Sequence, residues 1–253
     1  MHRDPQSKRL TRLDIHLVER GLVASRARAR DLVRRGQVEV GGRLETRPGA
    51  RVGADIPINL RGTAAEHVSR GAAKLIAALE HFPFQVQNVV ALDIGASTGG
   101  FTQVLLERGA ARVYAVDVGH GQLHAQLATD PRVVPLEQCD ARRLDRVLVP
   151  EPVGALVADV SFISLRKALP APLALAAPRA WLVALIKPQF EAGRAAVGKR
   201  GIVRGAAARQ RAIEQVRDWI VDQPDWRVLD VIDSPILGGS GNQEFLLGAQ
   251  RGG

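Results

Sequence analysis

The middle of the chain contains Ala91-Leu92-Asp93-Ile94-Gly95-Ala96-Ser97-Thr98-Gly99-Gly100-Phe101, in which an apolar run leads directly into a glycine-rich turn. Asp117 then closes the next apolar run. Glycines in such a turn let the backbone approach a bound nucleoside, and an acid that ends the following strand accepts hydrogen bonds from ribose hydroxyls. The pattern therefore predicts a strand-turn-helix unit that binds a nucleoside cofactor.

Apolar runs recur along the rest of the chain and are separated by spacers of helical length. They cover residues 89–94, 113–116, 133–136, 154–160, 181–186, 228–232 and 245–247. This alternation predicts a Rossmann-like α/β fold, with a mostly parallel sheet and with ligands at the carboxyl ends of its strands. Seven strands favour the methyltransferase form of the fold over the six-stranded dinucleotide-binding form.

The turn also indicates which cofactor is bound. Ser97 stands where the G-x-G-x-x-G pattern of dinucleotide sites has its second glycine, and Thr98 follows it. A pyrophosphate is best held by bare backbone N–H groups, whereas S-adenosylmethionine has no phosphate and tolerates these side chains. We therefore expect S-adenosylmethionine. The predicted cofactor-binding residues are Asp93, Gly95, Ser97, Thr98, Gly99, Gly100, Phe101, Asp117, Asp140 and Asp159.

Positive charge is concentrated in the first quarter of the chain. The whole chain has 253 residues and a formal charge of +9, and residues 1–62 hold 14 Lys and Arg against 7 Asp and Glu. Such asymmetry indicates an anionic partner, although charge alone fits a solvated arginine-rich face equally well. Aromatic residues are absent from residues 1–62, so an RNA partner would be bound through phosphates and not by base stacking.

The local pattern of this segment predicts two helices, at residues 12–20 and 26–35, each followed by a glycine. Residues 37–43 fit a strand and a tight turn, and a second short strand is expected around 51–59. Arg26, Arg30 and Arg34 are spaced four apart and form a basic stripe on the second helix.

The pattern from Arg12-Leu13-Asp14 to Gly41-Gly42 resembles the alpha-L RNA-binding domain, a small α+β domain first named for a ribosomal protein. The resemblance implies an RNA-binding domain at 1–62, a linker at 63–68 and a catalytic domain at 69–253. A basic, glycine-containing loop at 191–204 is a second expected RNA contact. The predicted RNA-binding residues are Arg12, Arg20, Arg26, Arg30, Arg34, Arg35, Arg70, Arg194, Lys199 and Arg200.

Four charged residues lie at predicted strand ends or on the helix before the first strand, namely Lys74, Asp159, Lys187 and Glu244. Each alone fits a simple strand terminator, but the carboxyl ends of neighbouring parallel strands meet at one edge of a sheet. The chain has only five lysines, and a lysine amine can release a proton where an arginine guanidinium cannot.

Lys-Asp-Lys-Glu in this order resembles the catalytic tetrad of FtsJ/RrmJ-type ribose 2′-O-methyltransferases, and the whole chain resembles the TlyA family, whose members are sometimes called haemolysins. The resemblance implies methyl transfer to a cytidine 2′-hydroxyl in ribosomal RNA of the small subunit, the large subunit or both. It makes Lys187 the general base, with Asp159 positioning its amine and with Lys74 and Glu244 orienting the ribose.

Other classes of function compete with this one. A single cysteine and the absence of a signal peptide or membrane segment predict a cytoplasmic protein with no membrane partner. No metal is expected, because His120 and His124 have ligand-like spacing but no third ligand. The alternatives are a non-catalytic RNA-binding assembly factor, a base methyltransferase and, with the least support, a membrane-active haemolysin.

Overall fold

The computed structural model describes residues 10–23, 25–60, 67–193, 197–198, 201–239 and 241–253. The chain divides into two units, Met1–Ser69 and Arg70–Gly253. The described residues of the first unit form two helices and five short strands. These are β1 (Thr11–Arg12), α1 (Leu13–Glu19), α2 (Arg26–Arg34), β2 (Val38–Val40), β3 (Arg43–Leu44), β4 (Arg51–Val52) and β5 (Ile58–Leu60).

The two predicted helices of this unit form within one or two residues of their expected bounds. Their apolar sides build a small core, because residues three and four apart lie on one face of a helix. Strand β2 pairs antiparallel with both β3 and β5. The apolar residues of this core, all fully or nearly fully buried, are Leu13, Leu17, Ala29, Leu32, Val33, Val38 and Val52.

The prediction of one strand around 51–59 was wrong, because the structure has two separate strands there. Strand β4 pairs with β1, whereas β5 pairs with β2. Between them the N–H of Ile56 bonds to the carbonyl of Gly53, and Pro57 has no N–H to donate to a ladder. The turn therefore separates the segment into two pairings.

The second unit is built on a seven-stranded sheet with helices between the strands. Its elements are α3 (Ala72–His81), β6 (Val90–Ile94), α4 (Gly100–Glu107), β7 (Arg112–Val116), α5 (Ala125–Ala128), β8 (Val133–Leu136), β9 (Val153–Ala158), α6 (Leu165–Ala168), α7 (Pro170–Ala174), β10 (Ala176–Ile186), α8 (Pro188–Glu191), α9 (Ala206–Val221), β11 (Trp226–Asp233) and β12 (Phe245–Arg251). All seven predicted strands are present, which confirms the Rossmann-like fold.

The strand order is β11-β12-β10-β9-β6-β7-β8. Five strands, from β10 to β8, are parallel, and β12 is antiparallel to both of its neighbours. Strands β6 and β9 are neighbours although two other strands separate them in sequence. The direction of winding reverses at this pair, and in open α/β sheets such a reversal leaves a crevice beyond the strand ends.

Strands in the centre of the sheet are covered on both faces, so they are apolar at nearly every position. Leu92, Leu156 and Leu182, on three neighbouring strands, are fully buried. Among the described residues, no helix has the length and apolar character that crossing a membrane requires.

The glycine at 248 on β12 is required by packing. A Cβ there would lie 2.5–2.6 Å from three ring carbons of Phe82, which is buried and stacks on Phe84. We expect Gly248→Ala to lower the free energy of unfolding by about 1–3 kcal/mol, because the core has no room for the methyl group. Urea denaturation followed by tryptophan fluorescence measures this, since all three tryptophans lie in the second unit.

The matched control is Gly154→Ala on β9, where a Cβ would make only ordinary contacts with Val89, the closest at 3.4 Å. It should change stability by less than the Gly248 variant. Equal effects of the two substitutions would contradict the packing explanation.

Candidate active site

Two lysines and two carboxylates meet at one edge of the large sheet. Lys74 Nζ on α3 lies 2.8 Å from Glu244 Oε2 and 3.3 Å from Asp159 Oδ2. Lys187 Nζ lies 2.6 Å from Asp159 Oδ1 and donates a hydrogen bond to Ser161 Oγ at 2.8 Å. The four residues predicted from strand ends are therefore in direct contact, with Asp159 shared by both lysines.

The network is shielded from water. Lys74, Lys187 and Glu244 are 7%, 8% and 2% exposed, and the side chain of Asp159 is 20% exposed. Buried charges are costly unless they are paired, and here two positive and two negative groups balance. Asp159 follows β9 directly, and its N–H donates to the carbonyl of Ile94 at the end of β6, which fixes it at the reversal of the sheet.

Sequence reasoning did not predict the contacts that three further residues make around this network. Ser161 gives Lys187 a second partner. Asn242 is buried, accepts a hydrogen bond from the N–H of Val203 and donates one to the carbonyl of Gly201. A Cβ on Gly238 would overlap the carboxylate of Glu244, so that glycine leaves room for it. No local pattern marks these contacts, since each joins segments far apart or a backbone to a side chain.

Beside the network lies a cavity of about 1260 Å³ at the carboxyl ends of the strands. Asp159 and Ser161 line one part of it, while Gly95, Asp117 and Asp140 line another. The nucleoside pocket predicted from the glycine turn and the charged network predicted from the strand ends therefore adjoin each other.

The turn after β6 could be built only with glycine at its first position. Gly95 has a φ of 85°, and a Cβ there would lie 2.7 Å from the carbonyl oxygen of Asp159. Gly99 has a φ of 95° and begins α4. Close packing of Gly95 against the end of β9 leaves bare backbone at that point of the cavity wall, and this fits a nucleoside cofactor.

Asp117 and Asp140, two of the four acids predicted to bind the cofactor, line the cavity with carboxylates that already have protein partners. Asp117 accepts hydrogen bonds from the backbone N–H groups of Ser97, at 2.8 Å, and Gly119, at 2.7 Å. Asp140 accepts from the side chain and the backbone N–H of Arg142, which lowers the pKa of its carboxyl to about 2. Each carboxylate has two oxygens with several acceptor positions, so both can still accept from a ligand.

The other predicted cofactor residues lie in or behind the turn. Ser97 also lines the cavity; Thr98, Gly99, Gly100 and Phe101 continue the turn into α4. Asp93 differs from expectation, because its side chain is fully buried and accepts a hydrogen bond from Thr102 Oγ1 at 2.6 Å. Burial, together with the nearby carboxylates of Asp159 and Asp117, raises the pKa of Asp93 to about 7 against the opposing hydrogen bond of Thr102.

Three of the predicted RNA-binding arginines of the first unit converge on one carboxylate. Arg12, Arg26 and Arg30 all contact Asp14, whereas Arg34 is exposed at the end of α2. Of the others, Arg20 donates to the carbonyl of Ile56, Arg35 pairs with Asp31, and Arg70 lies beside Gly239 in the second unit. Arg194, Lys199 and Arg200 lie outside the described residues.

Two family matches agree with this architecture. The FtsJ-like methyltransferase family matches residues 67–251, and the S4 domain matches residues 11–55. The chain belongs to the FtsJ-like methyltransferases. S-adenosylmethionine is accordingly its cofactor, and the glycine turn and cavity fit that molecule. Across the described residues, no group of three or more His, Cys, Asp or Glu side chains is arranged to hold a metal ion.

Similar proteins cover nearly the whole chain, which confirms membership of the TlyA family. The 16S/23S rRNA (cytidine-2′-O)-methyltransferase TlyA of Mycobacterium tuberculosis is 43% identical over 94% of this chain and 89% of its own length. Hemolysin A of Brachyspira hyodysenteriae is 38% identical over 93% of this chain and 98% of its own length. A solved structure of a protein described as a hemolysin, from Streptococcus thermophilus, matches with a TM-score of 0.74 at 38% identity, covering 96% of this chain and 89% of that one.

The raised pKa of Asp93 leads to a prediction for stability. A carboxyl whose pKa is higher in the folded than in the unfolded protein stabilises the fold at low pH, and this stabilisation is lost as pH rises towards the folded value. Between about pH 5 and about pH 8, we expect wild type to lose about 1–3 kcal/mol of unfolding free energy relative to Asp93→Asn.

Urea denaturation at the two pH values, followed by tryptophan fluorescence, measures the difference. Asparagine does not titrate, and its carbonyl can still accept from Thr102. Parallel pH dependence in the two proteins would show that Asp93 does not titrate in this range.

Proposed function

We propose that this chain transfers a methyl group from S-adenosylmethionine to the 2′-hydroxyl of a cytidine in ribosomal RNA. The observation that carries the proposal is the placement of Lys187, whose amine is held between Asp159 and Ser161 where both line the cavity. The names of the Mycobacterium tuberculosis relative and of a Campylobacter jejuni relative, which is 35% identical over 71% of this chain, describe the same reaction.

Lys187 acts as the general base. A ribose hydroxyl is a poor nucleophile, so its proton must be taken up as the oxygen attacks. Lys187 Nζ, in its neutral form, accepts that proton, while Asp159 and Ser161 hold the amine in one orientation. S-adenosylmethionine, when bound, supplies the electrophilic methyl group of its sulfonium. Placement of hydroxyl and amine in one shielded site provides much of the rate gain.

Lys74 and Glu244 hold the network and orient the ribose. Lys74 bridges Glu244 and Asp159, so it keeps two carboxylates close together that would otherwise repel each other. With Lys74 in place, Asp159 can accept from Lys187 without turning away. The turn from Gly95 to Phe101, together with Asp117 and Asp140, holds the cofactor.

The substrate is ribosomal RNA or an assembled ribosomal subunit, and it is bound through the predicted arginines of the S4 domain. An enzyme that acts on ribosomal RNA works in the cytoplasm. The partly exposed side chains of Arg12, Arg26 and Arg30 support a phosphate-binding role for that domain.

The reaction is tested with labelled S-adenosylmethionine and isolated small and large ribosomal subunits, followed by alkaline hydrolysis of the RNA. A 2′-O-methyl group blocks cleavage at its own linkage, so the expected product is a labelled, alkali-resistant dinucleotide. Label in mononucleotides would show base methylation. Cofactor binding without transfer to either subunit would favour the non-catalytic assembly factor.

Replacement of the base gives a specific prediction. Lys187→Arg keeps the positive charge and the contact with Asp159, but a guanidinium cannot act as a base near neutral pH. We expect turnover to fall by about 100-fold or more while the dissociation constant for S-adenosylmethionine stays within about twofold. Single-turnover kinetics and calorimetry measure the two quantities. Near-normal turnover would exclude Lys187 as the base.

The glycines before Glu244 allow a matched pair of variants. A methyl group on Gly238 would displace the carboxylate of Glu244 from Lys74, whereas one on Gly239 would meet only Arg70 Nη2 at 3.4 Å. We expect Gly238→Ala to lower turnover about tenfold or more and Gly239→Ala to have a much smaller effect. Gly239→Ala should unfold at the same urea concentration as wild type within error, and Gly238→Ala, although less stable, should remain folded under the assay conditions. Similar kinetics for the two would remove Glu244 from the catalytic network.

A further inference from the structure

Asp14 is the most deeply buried acid of the first unit, and three arginines surround it. Its carboxylate has no exposed surface and accepts hydrogen bonds from Arg12 Nε at 3.0 Å, Arg26 Nε at 2.9 Å and Arg30 Nε at 3.1 Å. The three come from different places, since Arg12 precedes α1 and the other two occupy successive turns of α2. We call Asp14 with these three residues the arginine cluster.

The cluster stays ionised and positively charged. Burial alone would favour the neutral acid, but the hydrogen bonds from Arg12, Arg30 and Arg26 outweigh it and hold the pKa of Asp14 well below its usual range. Three guanidinium groups and one carboxylate therefore leave two net positive charges. They are concentrated at one point of the domain, because all three side chains contact the same buried group.

Each arginine keeps part of its hydrogen-bonding capacity. A guanidinium carries five N–H donors, and within the described part of the chain Arg26 and Arg30 use only Nε towards Asp14. The side chains of Arg12, Arg26 and Arg30 are 42%, 47% and 44% exposed. Each side chain is thus partly open to solvent, while its Nε is bonded to the buried carboxylate.

We propose that Asp14 is a positioning residue that gathers Arg12, Arg26 and Arg30 into one binding unit for phosphodiester groups of RNA. The inference rests on the proposed function, since it concerns how the S4 domain holds the same RNA substrate. Without Asp14 the three cations would repel one another, and each long side chain would have to be ordered when RNA binds. Ordering them beforehand removes that cost from the binding step.

The role makes a prediction whose sign opposes that of simple electrostatics. Asp14→Asn removes a negative charge from an RNA-binding surface, so charge alone predicts tighter binding. If Asp14 positions the arginines, the dissociation constant for the ribosomal subunit that the wild-type protein methylates should instead rise about tenfold. The slope of log affinity against log salt should also become shallower, because fewer phosphates are contacted together.

Glu45→Gln is the matched control, because Glu45 is also in the first unit and pairs with a single arginine, Arg47, which is 80% exposed. It removes the same charge and should leave the affinity equal or slightly higher. A rise in affinity for both variants, or no loss for Asp14→Asn, would overturn the positioning role.

Loss of binding through unfolding is separated by a second measurement that leaves Asp14 in place. Arg26→Ala, Arg30→Ala and the double variant each leave Arg12 paired with the buried carboxylate. If the arginines bind as one unit, the loss of binding free energy in the double variant should differ clearly from the sum of the two single losses. Strict additivity of the two losses would show that the arginines act independently.

The same titrations distinguish this inference from the proposed function. Wild-type protein that neither binds nor methylates either subunit would overturn both. Wild-type protein that methylates a subunit, with Asp14→Asn binding that subunit equally well, would overturn only the role of Asp14.

Discussion

The charged network of the second unit depends on one carboxylate that two lysines share. Asp159 accepts from Lys74 through one oxygen and from Lys187 through the other, and the group is largely buried. A buried network of this kind tolerates no missing member, since removal of one partner leaves an uncompensated charge. The sheet must therefore deliver α3, β9, β10 and the start of β12 to the same place, and its strand order does so.

The reversal between β6 and β9 serves the cofactor and the network together. The N–H of Asp159 bonds to the last carbonyl of β6, and the Asp159 carbonyl lies so close to Gly95 that no side chain fits between them. The backbone of Asp159 thus sets the distance between the cofactor turn and the charged network. A substitution at Gly95 would disturb both, although Gly95 has no side chain that could take part in chemistry.

The fold, and the four charged residues that meet at Asp159, could be predicted because both depend on the order of residues along the chain. Apolar runs of strand length locate the seven strands, and charged residues at their ends point to one edge. Contacts that depend on side-chain packing could not be predicted. Nothing around Asp14 shows that it is buried beneath arginines, and the spacing of α2 does not show that Arg12 joins Arg26 and Arg30 at that carboxylate. Asp93, likewise, follows the expected pattern but faces Thr102 behind the turn.

The two units use the same arrangement, a buried aspartate among cations, with different cations. Asp159 is surrounded by lysines, whose amines can lose and regain a proton, and Asp14 by arginines, which stay charged at any pH at which the protein folds. A proton-transfer site needs the first kind of group, and a permanent phosphate contact needs the second. In a chain with so few lysines, the use of two of them at Asp159 fits the proton transfer proposed for that site.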